Sequence, residues 1–190
     1  MAQKFWFKLD NAAKLYPAIA NSRWMSMFRM TAELEDDVDP VLLQQALDQV
    51  MPRFPTMNVG LRTGLFWYYL EQMPSPLQVR ADSGHPCMPF SKKRDGGFLL
   101  RVFYYRNRIS TEFFHALTDG TGGLAFLKTL TVQYLRLRGH HVSFDQGALD
   151  IAASPTEEET QDAFLKIPLP KIRIDRSIEK AYHFPATREI

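Results

Sequence analysis

A chain of 190 residues can bury a core of its own, and 45% hydrophobic with 23% charged residues is an ordinary globular balance. A formal net charge of only +2 argues against nucleic-acid binding, which would call for a basic stripe with interleaved aromatics. The single cysteine, Cys87, excludes an intramolecular disulfide and fits a reducing cytoplasm, Met1 to Lys8 lacks a signal peptide's apolar segment, and no span of about 20 apolar residues is present, so a cytoplasmic protein without a membrane span is expected.

Residues 10 to 24, with Leu15, Ile19 and Trp24 among small and polar residues, read as a weakly amphipathic helix or an irregular lead-in. From Met27 to Leu34 the pattern alternates, with Phe28, Met30, Ala32 and Leu34 on one face and Arg29, Thr31 and Glu33 on the other, as in a half-buried strand. Asp39-Pro40 offers an N-cap followed by proline at the first helical position. The apolar stripe Leu43, Ala46, Leu47, Val50 and Met51 then predicts a helix from about 40 to 51, ended by the prolines at 52 and 55.

Asn58 to Gln72 reads as a β-hairpin turning near Arg62-Thr63-Gly64. Residues 73 to 97 hold four prolines and are expected to be surface connection, with a short edge strand at Leu77 to Val79. Lys92-Lys93-Arg94 lies within it as a solvated basic run that could meet a phosphate. Phe98 to Tyr105 and Ile109 to Leu117 are strands joined by the hairpin residues Arg106-Asn107-Arg108. A helix over about 123 to 138 closes this unit, and 140 to 153 is loop. Ser154-Pro155-Thr156-Glu157 is a capping-box signature for a short acidic helix reaching about Leu165. Ile167 to Ile174 suggests an extended connector or edge strand, and 181 to 190 another strand.

The chemistry concentrates at Phe113-Phe114-His115-Ala116-Leu117-Thr118-Asp119-Gly120-Thr121-Gly122-Gly123, where an apolar strand meets a glycine-rich turn and then a helix. A histidine at such a junction can have its ring fixed on one side while an edge faces a cleft, and an ordinary imidazole pKa of about 6.5 suits a general base. Asp119, four residues on, is placed to cap the following helix or to pair with an arginine. Gly120, Gly122 and Gly123 match neither the dinucleotide fingerprint nor the P-loop, so turn geometry and close packing account for them. His85-Pro86-Cys87 and His140-His141 do not make a four-ligand zinc pattern, and no metal is expected.

His115-x-x-x-Asp119-Gly120 resembles the motif of the CoA-dependent acyltransferases that share the chloramphenicol-acetyltransferase-like fold: plant BAHD enzymes, nonribosomal-peptide condensation domains and alcohol acetyltransferases. The usual motif carries two adjacent histidines, and here Phe114 replaces the first. Arg53-Phe54-Pro55, Phe66-Trp67-Tyr68-Tyr69-Leu70-Glu71 and Ala181-Tyr182-His183 look like bacterial alcohol-acetyltransferase-like proteins.

The resemblance implies an α/β (α+β) two-layer sandwich, a mixed and largely antiparallel sheet covered by helices. Residues 1–153 would be an N-terminal acyltransferase-like domain and 154–190 a crossover toward a C-terminal domain or partner chain that this chain lacks. It further implies acyl-CoA, as acetyl-CoA, for co-substrate, a small-molecule alcohol or amine as acceptor, His115 as general base, and Asp119 and Gly120 as residues that shape the site. The isolated chain would then be inactive. Two alternatives stand beside it: a non-catalytic interaction domain of the same fold, and a metal-dependent or other hydrolase that uses His115 differently.

Overall fold

The computed structural model describes residues 6–10, 13–21, 25–65 and 67–160. Elements run β1 (Trp6–Lys8), α1 (Leu15–Ile19), β2 (Met27–Glu33), α2 (Pro40–Val50), β3 (Val59–Thr63), β4 (Tyr68–Gln72), β5 (Val79–Ala81), α3 (Lys92–Asp95), β6 (Leu100–Tyr105), β7 (Arg108–Phe114), α4 (Gly120–Leu137) and α5 (Glu157–Thr160), with a 3-10 turn at Met51–Arg53. The expected extended segments at 167–174 and 181–190, the helix beyond Thr160 and the Ala181-Tyr182-His183 likeness lie outside the described residues.

The strands form two sheets. One has the order β2-β7-β6-β5, antiparallel except for the parallel β5–β6 pair; the other is antiparallel with the order β1-β4-β3. The expected mixed, mostly antiparallel α/β architecture is present, with the β3–β4 hairpin standing in its own small sheet. That sheet gains β1, which three residues of sequence do not announce: Trp6, Phe7 and Lys8 pair with Glu71, Leu70 and Tyr69 more than sixty positions away. The edge strand expected at 77–79 forms two residues later, because Leu77 is buried in the core and its carbonyl accepts from Gln44 Nε2, while Val79 and Ala81 pair with Val102 and Tyr104.

Local chemistry explains most boundaries. Asp39 Oδ1 accepts from the backbone N–H groups of Val41 and Leu42, so α2 starts as the Asp-Pro pair predicts. The β6–β7 hairpin turns through Arg106 and Asn107 alone. Arg106 has a left-handed φ of 49°, and the turn is tied down where Asn107 Nδ2 donates to the Leu34 carbonyl at 2.6 Å. The helix expected from 123 begins at Gly120, since Asp119 caps it there and offsets the weak propensity of a glycine-rich first turn.

α2 and α4 cover one face of the larger sheet. Leu43, Leu47 and Val50 of α2, Phe126, Leu130 and Tyr134 of α4, Leu100 and Val102 of β6, and Ile109 and Phe113 of β7 make its core. Burying each large apolar side chain contributes about 1.5–3 kcal/mol. A second cluster of Leu9, Ala13, Val59, Leu70, Leu99, Phe114 and Ala116 joins the small sheet to the end of β7. The turn that follows β7 therefore sits between two cores. Among the described residues no helix is long and apolar enough to cross a membrane.

Candidate functional site

β7 lies inside its sheet, between β2 and β6, and alternates strictly. Ile109 and Phe113 face the helices; Ser110 and Glu112 face the other way, and Phe114 follows them into the second cluster. Phe114 is 1% exposed, so where the resembled motif places a histidine this chain has a core residue. An imidazole there would need hydrogen-bond partners that its neighbours Leu9, Val59, Leu70 and Leu99 cannot offer through their side chains.

His115 is the first residue past β7. Its backbone N–H donates to the Ser26 carbonyl at 2.9 Å, which fixes the main chain there. Its half-buried ring stacks on Tyr16 at 4.6 Å between centroids, 11° from parallel, and meets Phe28 in an edge contact at 5.1 Å. Stacking on a face holds the ring plane while leaving the rim, which carries both nitrogens, to other partners.

Asp119 takes the capping role of the two expected for it: its Oδ1 accepts from the Gly122 N–H at 2.9 Å, and its own carbonyl accepts from Gly123. Positive φ is not what the motif glycines supply, since none of Gly120, Gly122 and Gly123 is left-handed. Packing is. A Cβ on Gly123 would lie 2.9 Å from Phe28 Cε2 and 3.2 Å from Phe113 Cε2, and one on Gly122 would lie 2.2 Å from Thr118 Oγ1. A Cβ on Gly120 would touch only Met30, at 3.8 Å. The start of α4 thus presses onto the same Phe28 that holds the histidine.

An open groove of about 400 Å³ runs beside this turn. Ala116, Leu117, Thr118, Gly122 and Ala125 form one wall, Lys8, Leu9 and Asp10 another, and Arg53 to Met57 with Leu149 and Glu159 a third. His115 is not itself among the lining residues; the residue after it is. Arg53, buried at 7% exposure, is gripped by Glu159 through two bonds, Nη1 to Oε2 at 2.7 Å and Nη2 to Oε1 at 2.6 Å, while its Nε donates to the Asp150 carbonyl at 3.2 Å. The hydrogen bond from Arg53, with a second from the Thr156 backbone N–H, draws the Glu159 carboxyl from its ordinary 4.5 down to about 2.

The opposite face of the large sheet carries a charge cluster that the sequence did not announce. Glu112, 1% exposed, is paired in register with Arg29 on β2 and Arg101 on β6, and it binds both: Oε1 to Arg29 Nη2 at 2.7 Å and Oε2 to Arg101 Nη1 at 2.9 Å. Arg101 also grips Asp95 with two bonds of 2.9 Å, and Arg29 reaches Asp82 at 2.6 Å. Burial alone would raise the Asp95 carboxyl, but hydrogen bonds from Arg101, the Ser91 N–H and Arg94 leave it below the ordinary carboxylate range. Arg94, expected in a solvated basic run, is exposed at 44% and also reaches Asp95 and the Pro89 carbonyl. Cys87 donates its backbone N–H to Glu112 at 2.6 Å, and burial together with that carboxylate pushes its thiol up, away from the nucleophilic thiolate. The sequence signal for this cluster is the polar interruption, Ser110 and Glu112, in a run from Ile109 to Phe114 that is otherwise β-branched or aromatic. Among the described residues, no group of three or more histidine, cysteine, aspartate or glutamate side chains is arranged to hold a metal ion.

No protein-family model and no curated protein matches the chain. Solved structures do, at low identity. The chain is similar to the SgcC5 protein from Streptomyces globisporus, solved with (R)-(-)-1-(2-naphthyl)-1,2-ethanediol and sucrose (15% identity, TM-score 0.53, 72% of this chain and 38% of that one). It is also similar to polyketide synthase associated protein 5 from Mycobacterium tuberculosis (16%, TM-score 0.55, 70% and 32%). A variant of the starter condensation domain of rhizomide synthetase RzmA, in complex with C8-CoA, gives 12%, TM-score 0.55, 72% and 37%. The chain therefore spans between about a third and two fifths of the length of these structures, and what it shares with them is the condensation-domain fold, over one part of it.

Proposed function

We propose that this chain is the N-terminal half of a CoA-dependent acyltransferase that moves an acetyl group from acetyl-CoA to a small alcohol or amine, with His115 as the general base. The observation that carries the reading is the placement of His115. A half-buried imidazole, clamped by Tyr16 and Phe28, stands at the end of an interior strand one residue from a 400 Å³ groove, on a fold whose neighbours include one in complex with an acyl-CoA.

In the reaction, the acceptor's oxygen or nitrogen attacks the thioester carbonyl as a nitrogen of His115 takes its proton. A tetrahedral oxyanion forms and collapses, breaking the carbon–sulfur bond, and the imidazolium returns the proton to the departing thiolate. No covalent acyl-enzyme is required. Asp119 and Gly120 shape the site by starting α4 five residues after the histidine, across a short turn. Residues 1–153 form the acyltransferase-like unit and 154–190 lead to a C-terminal lobe or partner chain that completes the groove.

The test is release of free CoA from acetyl-CoA by the protein in its complete natural reading frame, in the presence of alcohols and amines. The reading expects turnover there and none from residues 1–190 alone. Robust transfer by the isolated chain would contradict the two-lobe part. The second reading, an interaction domain without chemistry, draws support from Phe114, whose burial removes the first histidine of the motif; it expects no turnover in either form.

A further inference from the structure

The geometry points to Arg53 as an anion receptor in the wall of the groove, held shut by the carboxylate of Glu159 until a phosphate- or carboxylate-bearing ligand displaces it. This does not depend on acyl transfer. It starts from an energetic oddity: Arg53 follows α2 and lines the groove together with Phe54, Met57 and Leu149, yet its side chain is only 6% exposed. A buried guanidinium without a counter-charge costs several kcal/mol, so some anion must sit on it.

The anion present comes from far along the chain. Glu159 is 106 residues away, on a helix of four residues, with its side chain 35% exposed. Its two oxygens meet the two terminal nitrogens of Arg53, the fork geometry by which arginine recognises planar carboxylates and phosphates. The third nitrogen is committed to the Asp150 carbonyl, which aims the fork. Glu159 reaches the fork from the solvent side, and both residues line the groove, so a free anion of similar size has the same opening available. α5 is then a latch: closed, it blocks one end of the groove with an internal carboxylate; open, it leaves Arg53 to bind the ligand's anionic group. The Glu159 carboxyl stays ionised down to about pH 2, so competition by another anion, and not physiological protonation, opens the latch.

Glu159→Gln removes the competitor from an exposed position and leaves the arginine in place. The apparent dissociation constant equals the intrinsic one divided by the competent fraction, so removing the competing carboxylate tightens binding by the inverse of the open fraction, on the order of tenfold or more. Calorimetric titration with inorganic phosphate, acetate and CoA, each against sodium chloride of matched ionic strength, reads the change and shows which anion Arg53 prefers. Amide hydrogen exchange over residues 154–160 reads the latch itself. In the parent protein the preferred anion speeds exchange there; in Glu159→Gln exchange is fast from the start. The gain disappears in Arg53→Gln/Glu159→Gln. Because the buried arginine could matter for folding, Arg53→Lys/Glu159→Gln provides a second check and keeps charge while losing the fork, so it binds more weakly than Glu159→Gln alone. Equal affinity in parent and Glu159→Gln for all three anions, or a gain that survives loss of Arg53, overturns the proposal whether or not the protein transfers acyl groups.

Discussion

On the helix side of β7, Ile109 and Phe113 are fixed by apolar packing against Leu100, Phe126 and Leu130, contacts that many hydrophobic shapes could make. On the other side Glu112 binds Arg29 and Arg101 at the same level of the sheet, and this pairing tolerates only one register. A slip of one residue would turn every side chain of the strand over and carry His115 away from Tyr16 and Phe28. The comparison teaches that the packed face supplies bulk stability, whereas the charged face specifies where the strand ends and hence where the imidazole stands.

The largest break in this comparison is Glu112→Ala, which leaves two arginines facing a vacated buried site. It is expected to cost about 3–5 kcal/mol, read as a lowered midpoint in urea unfolding. Gly123→Ala comes next and discriminates between propensity and packing. Helix propensity alone would favour alanine by about 1 kcal/mol, but the 2.9 Å approach to Phe28 predicts a net loss of about 1–3 kcal/mol, with disturbance of the ring that braces His115. Asp119→Ala removes the cap of α4 and is expected to cost about 1 kcal/mol in the same assay.

Acid gives the smallest and most diagnostic effect. The folded-state pKa values of Asp95 and Glu159 both lie below their ordinary ones, so the stability they contribute is fully present above the ordinary carboxylate range and is lost as pH falls through the folded values. For Glu159 that window runs from 4.5 to about 2. Glu159→Gln therefore flattens the acid limb of the stability curve there and leaves neutral-pH unfolding cooperative; an unchanged limb would mean that the Arg53 pair is not formed in solution.

Much of the fold was legible because its signals are local: the alternation of β2, the Asp39-Pro40 start of α2, the β3–β4 turn with Gly64 donating to Trp67, and the hairpin before β7, expected over 106–108 and formed by 106 and 107. The junction at His115 was legible for the same reason, since an apolar strand, a capping aspartate and small residues lie within eleven positions. What was not legible depends on distant partners. β1 exists because of β4, the groove draws walls from residues 8–10, 53–57, Leu149 and Glu159, and the grip on Glu112 joins residues 11 and 83 positions apart. Periodicity carries none of that information. The missing motif histidine is intelligible from the place of Phe114 in the second cluster, a set of distant apolar residues that no local pattern announces.

The most direct measurement compares acetyl-CoA turnover by the complete protein with that of its His115→Ala form, with thermal unfolding recorded for both. Loss of a positioned general base predicts a fall in kcat of about a hundredfold to ten-thousandfold with little change in Tm. Equal turnover by the two forms, at equal stability, would contradict the assignment of His115.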